Sequence, residues 1–453
     1  MKYCPIIATL YVRNVYSTRS HPPLRRISVI IAILTLCWNL RAETLDGSKL
    51  DRLFANLEDH SLAEGSVAIS AHGKLVYQRS FGRGQTPQTE YRIGSISKVF
   101  TAVLIYQLVD ERRLSLNDRL SRFFPQLPNA DRITIAELLG HRSGLANFTN
   151  HTGFDDWKDK PKTHAELLAL IQNQQPDFEP GTKADYNNSN YLLLGYIVEQ
   201  IFGKDYKTVL GEKILRKVHL DHTYYGERTG FQPGEAISYK YENGAWKQDR
   251  AACLDNFGGA GAIISTPQDM LTFIGYLFAD KLISRESLAQ MTMIRDGYGQ
   301  GLFPYGDANH VGYGHNGKTE GFGASLQFYP DSRLAIAYCT NGEVYPKAQI
   351  LDCVFKICCG IPCDIPTFKP RIIPPESIAR FAGSYSSADK NIQAITTAEA
   401  GNLVISVKGQ PFPLIALSEH EFWNVPFGFF FDFSQDGKLT LRDVDDVYEL
   451  RRN

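Results

Sequence analysis

The sequence has no excess of charge of either sign: 48 Lys and Arg stand against 49 Asp and Glu, for a formal net charge of −1. Nucleic acid and other strongly charged surfaces recruit proteins through such an excess, so neither is expected as a partner. Basic blocks interleaved with aromatics are lacking, as is a glycine-rich loop able to cradle phosphate. There is no low-complexity tract and no internal repeat, which excludes a solenoid or propeller.

An apolar run long enough to cross a membrane is also lacking. ISVIIAILTLCW at 27–38 has twelve residues, whereas a spanning helix needs about 20. Arg25 and Arg26 precede it and the small Ala42 follows, so residues 1–42 read as a secretory leader. Export to a periplasm or the extracellular space is expected. An uncleaved leader acting as an anchor is the alternative, and would be the one membrane contact. The stretch before Arg25 is long for a signal's basic region, which leaves the true start open. Leu36 is larger than the residue expected before a lipidated cysteine at Cys37.

The cysteines lack a zinc-finger spacing. Of eight, Cys4 and Cys37 fall in the leader, leaving Cys253, Cys339, Cys353, Cys358, Cys359 and Cys363. Export permits disulfides among these, but their pairing cannot be read from sequence. The cluster CVFKICCGIPC has no C-x-x-C pair, and its apolar neighbours fit a buried helix end better than a metal centre.

What is present is enough for a large core. The 453 residues, 43% hydrophobic, predict two or three units. Leu50, Leu53, Phe54 and Leu57 recur with helical spacing across 48–58. GSVAISAHGKLVYQRSFG (65–82) reads as two strands around a His72-Gly73 turn. ISKVFTAVLIYQLVDERRL (96–114) reads as a helix apolar on one broad face, and TIAELLGHRSGL (134–145) as a short helix stopped by Gly140 and Gly144. Polar loops and helices follow to about 220. GGAGAIIST gives a strand edge, with a helix starting near Pro267. GASLQFYPDSRLAIAYCTN (323–341) is a hairpin turning at Pro330-Asp331-Ser332, and KAQILDCVFKICC is a closing helix.

Strands at both ends of a helical middle predict an α+β fold. It would be an antiparallel sheet flanked by helices, with a mostly helical insertion, over 43–361. Five prolines in 362–375 predict an extended, semi-rigid linker. Short strand-like runs over 376–453, with turns such as Asp436-Gly437, predict a small all-β barrel or sandwich.

Three motifs carry candidate chemistry, and each has a plain structural alternative. In RIGSISKVFTA (92–102), Gly94 and the helical pattern from 96 put Ser95 at a helix N-terminus. Unpaired N–H groups and the helix dipole favour developing negative charge there. Lys98 shares its face, and an amine held beside a hydroxyl away from water can help deprotonate it. A serine-capped helix with a surface lysine would look the same. In ADYNNSNYLLLGY, Tyr186 and Asn188 lie two apart just before a helix. A tyrosine beside a lysine can act as a general base, since the ammonium stabilises the phenolate, while Asn188 could hold the lysine and a substrate carbonyl. The alternative is an asparagine-rich turn capping the next helix. In YGHNGKTEGFGAS, an edge strand would point His315 and Gly317 to one side. The glycine lets a ligand approach, and the N–H of Lys318 with that of Ser95 could form an oxyanion hole. The alternative is a glycine-rich loop with a surface histidine.

Other residues read as structural. His219 and His222 form His-x-x-His without a third zinc ligand. His141 is expected to buttress the active-site helix. Trp157 and Trp246 either line a cleft or pack.

In the order Ser-x-x-Lys, Tyr-x-Asn, His-x-Gly, the three motifs resemble the serine β-lactamase and penicillin-binding D-alanyl-D-alanine peptidase superfamily, in particular its class C-like branch. ITIAELLGHRSGL is similar to the family segment ending in His-x-Ser-Gly-Leu, and FGGAGAIISTPQDM to its Gly-Gly-x-x-Ser-Thr segment. The resemblance covers about 50 to 360, and the linker and tail look like the small β-barrel appended to many such hydrolases. It implies a β-lactamase/transpeptidase-like fold and a serine hydrolase acting through an acyl-enzyme on an amide or ester. The substrate would be a small molecule or peptide, with no metal and no organic cofactor.

By that resemblance Ser95 is the nucleophile, Lys98 its partner and Tyr186 the proton shuttle. Asn188 orients substrate and Lys98, His315 and Gly317 form the sheet edge, and Lys318 supplies the second oxyanion amide. Ser97 is expected to be structural. Asn187 and Asn316 depart from the family's usual small residue and Thr. His315 in place of Lys removes a fixed positive charge, which favours a D-peptidase or esterase over an efficient β-lactamase. A non-catalytic ligand- or peptidoglycan-binding protein on the same scaffold is the competing reading, and intact Ser95, Lys98 and Tyr186 argue against it.

Overall fold

Helix α1 (Gly47–Asp59) buries Leu50, Leu53, Phe54 and Leu57, and Asp46 caps it by accepting from the Lys49 N–H. Strands β1 (Ala63–Ala71) and β2 (Lys74–Phe81) follow. His72 and Gly73 between them have φ of 52° and 76°, the positive values whose twist matches a tight hairpin. The computed structural model that gives this architecture describes residues 45–453, apart from 228–229, 388–391, 400, 408–409 and 445. The expected leader at 1–42, with Cys4 and Cys37, lies outside the described residues. Among the described residues no helix is long and apolar enough to cross a membrane.

Further along lie α2 (Ser97–Asp110), α3 (Asn188–Phe202), α4 (Pro267–Leu277), β3 (Phe303–Gly306), β4 (Val311–Thr319), β5 (Phe322–Tyr329), β6 (Leu334–Glu343) and α5 (Lys347–Cys358). The strands form a six-stranded antiparallel sheet in the order β2-β1-β6-β5-β4-β3. The first strand pairs with the last, from Ala63 opposite Glu343 to Ala71 opposite Leu334. The helical middle is therefore an insertion between the two halves of one sheet.

Both faces of this sheet are covered, so β1, β5 and β6 are buried almost throughout instead of alternating with solvent. The two-residue period sorts their side chains. Val67, Ile69, Ile336 and Tyr338 join the core of α1 and α5, while Ala68, Leu326, Phe328 and Ala337 join that of α2, α3 and α4.

Helix α2 differs from expectation. Its pattern suggested one broad apolar face, yet every residue from Ser97 to Leu108 is buried. The surrounding helices and loops enclose it on all sides, so its polar groups need protein partners. Ser97 Oγ accepts from the Ile263 N–H, Thr101 Oγ1 donates to Gly259 O and Gln107 Nε2 donates to Leu282 O. The helix expected over 134–145 is confined to Ile135–Leu139, opened by a Thr134–Glu137 capping box and closed at Gly140.

The proline-rich segment is extended but pinned. Cys363 is disulfide-bonded to Cys353 of α5, Pro366 O accepts from Asn56 Nδ2, and buried Phe368 packs edge-on against Tyr345. Beyond it nine antiparallel strands form a second sheet. Its two edges, Gln410–Pro413 and Ile415–Ala416, are separated only by Leu414, so the sheet curls into a nearly closed barrel. Leu403, Ile405, Phe422, Phe431 and Leu450 fill it, while Leu417, Trp423 and Phe430 pack outward into the core of α1 and α5.

Candidate active site

Strand β3 covers β4 only from Val311 to Gly314. The outer edge of β4 beyond that point meets the turn that carries Ser95. Two glycines permit the approach. Gly94 has φ 50°, and a Cβ there would lie 2.8 Å from Lys318 N. A Cβ on Gly317 would lie 1.9 Å from Ile93 O and 3.4 Å from Ser95 N. Any larger residue would force the two backbones apart. Lys318 sits opposite Gly323, one step from the hairpin-closing pair Thr319–Phe322. The alternation of an antiparallel ladder therefore turns its N–H outward, toward the Ser95 turn. Ser95 itself occupies a single 3₁₀ turn, Gly94–Ile96, that feeds into α2.

Lys98 is fully buried. Its Nζ lies 3.0 Å from Ser95 Oγ, 2.8 Å from Asn188 Oδ1 and 2.8 Å from Ala260 O. Burial pushes the amine well below its ordinary pKa. Asn188 Oδ1 and Ala260 O can only accept. A neutral amine gives both its N–H groups to them and leaves its lone pair facing Ser95 Oγ. Tyr186 OH donates to the same oxygen at 2.6 Å, and burial raises its pKa so that it keeps its proton. Burial thus favours amine and phenol over the ammonium and phenolate that the sequence suggested. The reason is enclosure: Lys98 Nζ is 4.8 Å from the Tyr186 ring centre, and among the described residues neither group has a counter-ion.

Neighbouring residues hold this arrangement. His141 Nδ1 accepts from the Asn187 N–H at 3.1 Å, and its ring lies 4.6 Å from that of Tyr186. Burial keeps His141 neutral, as an accepting nitrogen requires. It supports the Tyr186 segment rather than α2. Asn187 accepts from the Ser189 N–H at 2.8 Å to cap α3 and donates to Leu145 O at 2.5 Å. Its departure from the usual small residue thus has a structural use. Asn188 Nδ2 donates to Thr149 Oγ1 at 3.0 Å, which fixes its oxygen toward Lys98.

His315 is 1% exposed and stacked on Phe303 at 4.3 Å. Burial pushes its pKa down to about 3, so it carries no charge at neutral pH. Its Nδ1 donates to Asn316 O at 2.5 Å. Asn316 and Lys318 are exposed on the strand's other side.

A cleft of about 1310 Å³ opens over Ser95, Tyr186, Asn188 and the 315–318 edge. Tyr298 and Phe303 border it near Ser95, and Lys347, Leu351 and Val444 border it farther out. The structure thus brings all seven expected residues, Ser95, Lys98, Tyr186, Asn188, His315, Gly317 and Lys318, to one place. Ala260, Tyr298, Phe303 and Val444 were missed by sequence reasoning. GGAG at 258–261 was the only signal for the first, because a backbone carbonyl leaves no mark on residue type.

The other singled-out residues lie elsewhere. Trp157 packs on Phe148 and Phe154, and Trp246 donates to Ser61 O. His222 faces Glu90 at 3.3 Å. Among the described residues no three His, Cys, Asp or Glu side chains are grouped to hold a metal.

This geometry has relatives. The teichoic acid D-alanine hydrolase of Staphylococcus aureus is 31% identical over 231 residues, 49% of this chain and 56% of that protein. The chain therefore matches little more than half of that relative's length. A D-stereospecific amidohydrolase from Streptomyces sp. superposes with a TM-score of 0.63 at 24% identity, covering 70% of this chain and 100% of that one. The octameric penicillin-binding protein homologue from Pyrococcus abyssi does so with a TM-score of 0.63 at 21% identity, covering 89% and 99%. At these identities the two structural likenesses are of fold alone. The β-lactamase family model matches residues 50–352, a span that holds every residue of the motif set, and the chain belongs to that family.

Proposed function

We propose that this chain is an exported serine hydrolase that cleaves D-alanyl esters or D-amino acid amides through an acyl-enzyme. The observation that carries the reading is Ser95 Oγ held between Tyr186 OH at 2.6 Å and Lys98 Nζ at 3.0 Å. The Lys98 lone pair takes the Ser95 proton as Oγ attacks the carbonyl carbon. The N–H groups of Ser95 and Lys318 hold the resulting oxyanion. The C–N or C–O bond then breaks, and Tyr186 protonates the leaving group. The Lys98 ammonium, across the serine oxygen, returns that proton to the phenolate. Deacylation repeats these steps with water as the attacking group, and no cofactor enters.

The D-alanyl preference is supported by the similarity to the teichoic acid D-alanine hydrolase. A neutral His315 gives no fixed charge for a β-lactam carboxylate, which supports an esterase or peptidase over an efficient β-lactamase. Export is supported by the leader-like 1–42 and by a disulfide between Cys353 and Cys363. We assign 43–361 to the catalytic unit, 362–375 to a linker and 376–453 to the barrel.

The test is labelling of wild type and Ser95→Ala with a tagged fluorophosphonate and a tagged penicillin, beside turnover of D-alanine amide and a D-alanyl ester. Ser95-dependent fluorophosphonate label with turnover of either substrate is expected. No Ser95-dependent label from either probe, together with no turnover, overturns the reading. Recovery of the protein from the cytoplasm with residues 1–42 intact overturns the export part.

A further inference from the structure

A second cavity of about 580 Å³ shares no lining residue with the cleft over Ser95. It lies between α4, the β1–β2 turn and the β5–β6 turn. Gln268, Leu271, Thr272, Gly275 and Ala279 border it, all from α4 and the residues just after it. Their spacing marks one stripe of a helix. The opposite stripe of α4, with Met270, Phe273, Ile274 and Leu277, is buried in the main core. The stripe that lines the cavity is mixed, with Leu271, Gly275 and Ala279 beside Gln268 and Thr272, and Leu271 is also part of the main core. Phe278, stacked on Phe328 at 4.4 Å, also lines the cavity.

Gly275 is the informative residue. It is inside a helix, where glycine costs roughly 1 kcal/mol relative to alanine. Such a glycine usually permits a close backbone approach. Here a Cβ would meet nothing within 4 Å. Packing does not explain the glycine, and its effect is to leave the cavity open.

The rim is apolar and cationic. Leu75 and Tyr276 line the cavity and are 44% and 39% exposed. Lys281 and Arg333 also line it, and neither has a side-chain hydrogen bond or ion pair among the described residues. Ser70, 9% exposed, adds a hydroxyl with no hydrogen bond among the described residues. An apolar cavity of this size with a few polar groups is the form of a small-molecule site.

From this geometry we infer a ligand site for a single-chain carboxylate amphiphile. Its hydrocarbon chain lies along the Leu271–Gly275–Phe328 surface, and its carboxylate faces Lys281 and Arg333. The site is separate from the catalytic cleft and does not depend on the activity proposed for it.

The test is calorimetric titration of the full-length protein with dodecanoate below its micellar concentration, with dodecyltrimethylammonium as the cationic control. Saturable one-to-one binding of dodecanoate is expected, at least tenfold tighter than the control. Gly275→Leu fills the cavity with a better helix former, so it is expected to melt no lower than wild type and to bind at least tenfold more weakly. Lys281→Gln with Arg333→Gln alters exposed side chains only, and weakens binding about fivefold for each charge removed. Acylation of Ser95 by a fluorophosphonate leaves binding unchanged. The inference is overturned by no saturable binding, by equal affinity for the cationic amphiphile or by loss of binding on acylation of Ser95. Unchanged affinity in a folded Gly275→Leu overturns it as well. If Gly275→Leu does not fold, unchanged affinity in the double glutamine variant overturns it instead.

Discussion

A single methyl group on Gly317 is expected to disable the site. The Cβ of Gly317→Ala would fall 1.9 Å from Ile93 O and 2.9 Å from Ile93 C. Ordinary contact begins at 3.4 Å, so β4 and the Ser95 turn must separate by about 1.5 Å (3.4 − 1.9). The groups on both sides are backbone, and no rotamer change can absorb the clash. Ser95 is two residues from Ile93, and Lys318 adjoins Gly317, so the two oxyanion amides move apart by a similar amount. A hydrogen bond near 2.9 Å does not survive a stretch of about that size. Losing one such donor costs roughly 2.7–4 kcal/mol of transition-state stabilisation, or about 10²–10³ in kcat. Overpacking itself destabilises by about 1–3 kcal/mol. The assay is kcat and KM on a chromogenic D-alanyl ester, well below the melting temperature of both proteins. A kcat lowered about 100- to 1000-fold with KM within a few fold is expected. A kcat within fivefold of wild type in a protein that melts normally would show that the strand and turn do not meet as described, or that the oxyanion is held elsewhere.

Three further outcomes follow from burial and covalent structure. Lys98→Met removes the base and fills its buried place with an apolar side chain, so fluorophosphonate labelling is expected to slow about 10²–10⁴-fold while the melting temperature moves only a few degrees; labelling at the wild-type rate refutes Lys98 as the base. His315 stays neutral when folded down to about pH 3, while an unfolded histidine takes up a proton near pH 6.5. Between those values the unfolded chain binds the extra proton, so stability falls with falling pH, by about 1.4 kcal/mol per pH unit for this group. Urea melts from pH 6 to pH 4 are expected to show a shallower loss in His315→Gln than in wild type, and identical slopes refute a buried neutral histidine. Cys353 and Cys363 close a loop of sequence separation 10, so Cys363→Ser is expected to lower stability by roughly 2–3 kcal/mol. The same loss should appear on adding dithiothreitol to wild type and be absent when it is added to the variant.

Much of the site was legible in the sequence because its key residues sit in short local patterns. Gly94, Ser95 and Lys98 share one turn, Tyr186 and Asn188 precede one helix, and His315 to Lys318 share one strand edge. Period 2 and helical spacing likewise marked α1, the hairpins and the barrel strands. The same local view misjudged α2, since a pattern that is apolar on one side does not reveal that helices and loops enclose the other. It read 362–375 as an extended, semi-rigid linker but not its anchoring, because prolines set the backbone but not what Phe368 packs against.

The sequence alone determined which side chains are available for chemistry and in what order they occur, since residue type and local spacing are written directly in it. Only the tertiary structure decided their protonation. Lys98 reaches Ala260 O, 162 residues away, and is sealed from water there, which favours the amine over the ammonium. The pairing of Cys353 with Cys363, the stacking of Phe303 on His315 and the open stripe beside Gly275 were decided in the same way. Each depends on which surfaces meet, and desolvation and contact are properties of the folded chain that residue order does not carry.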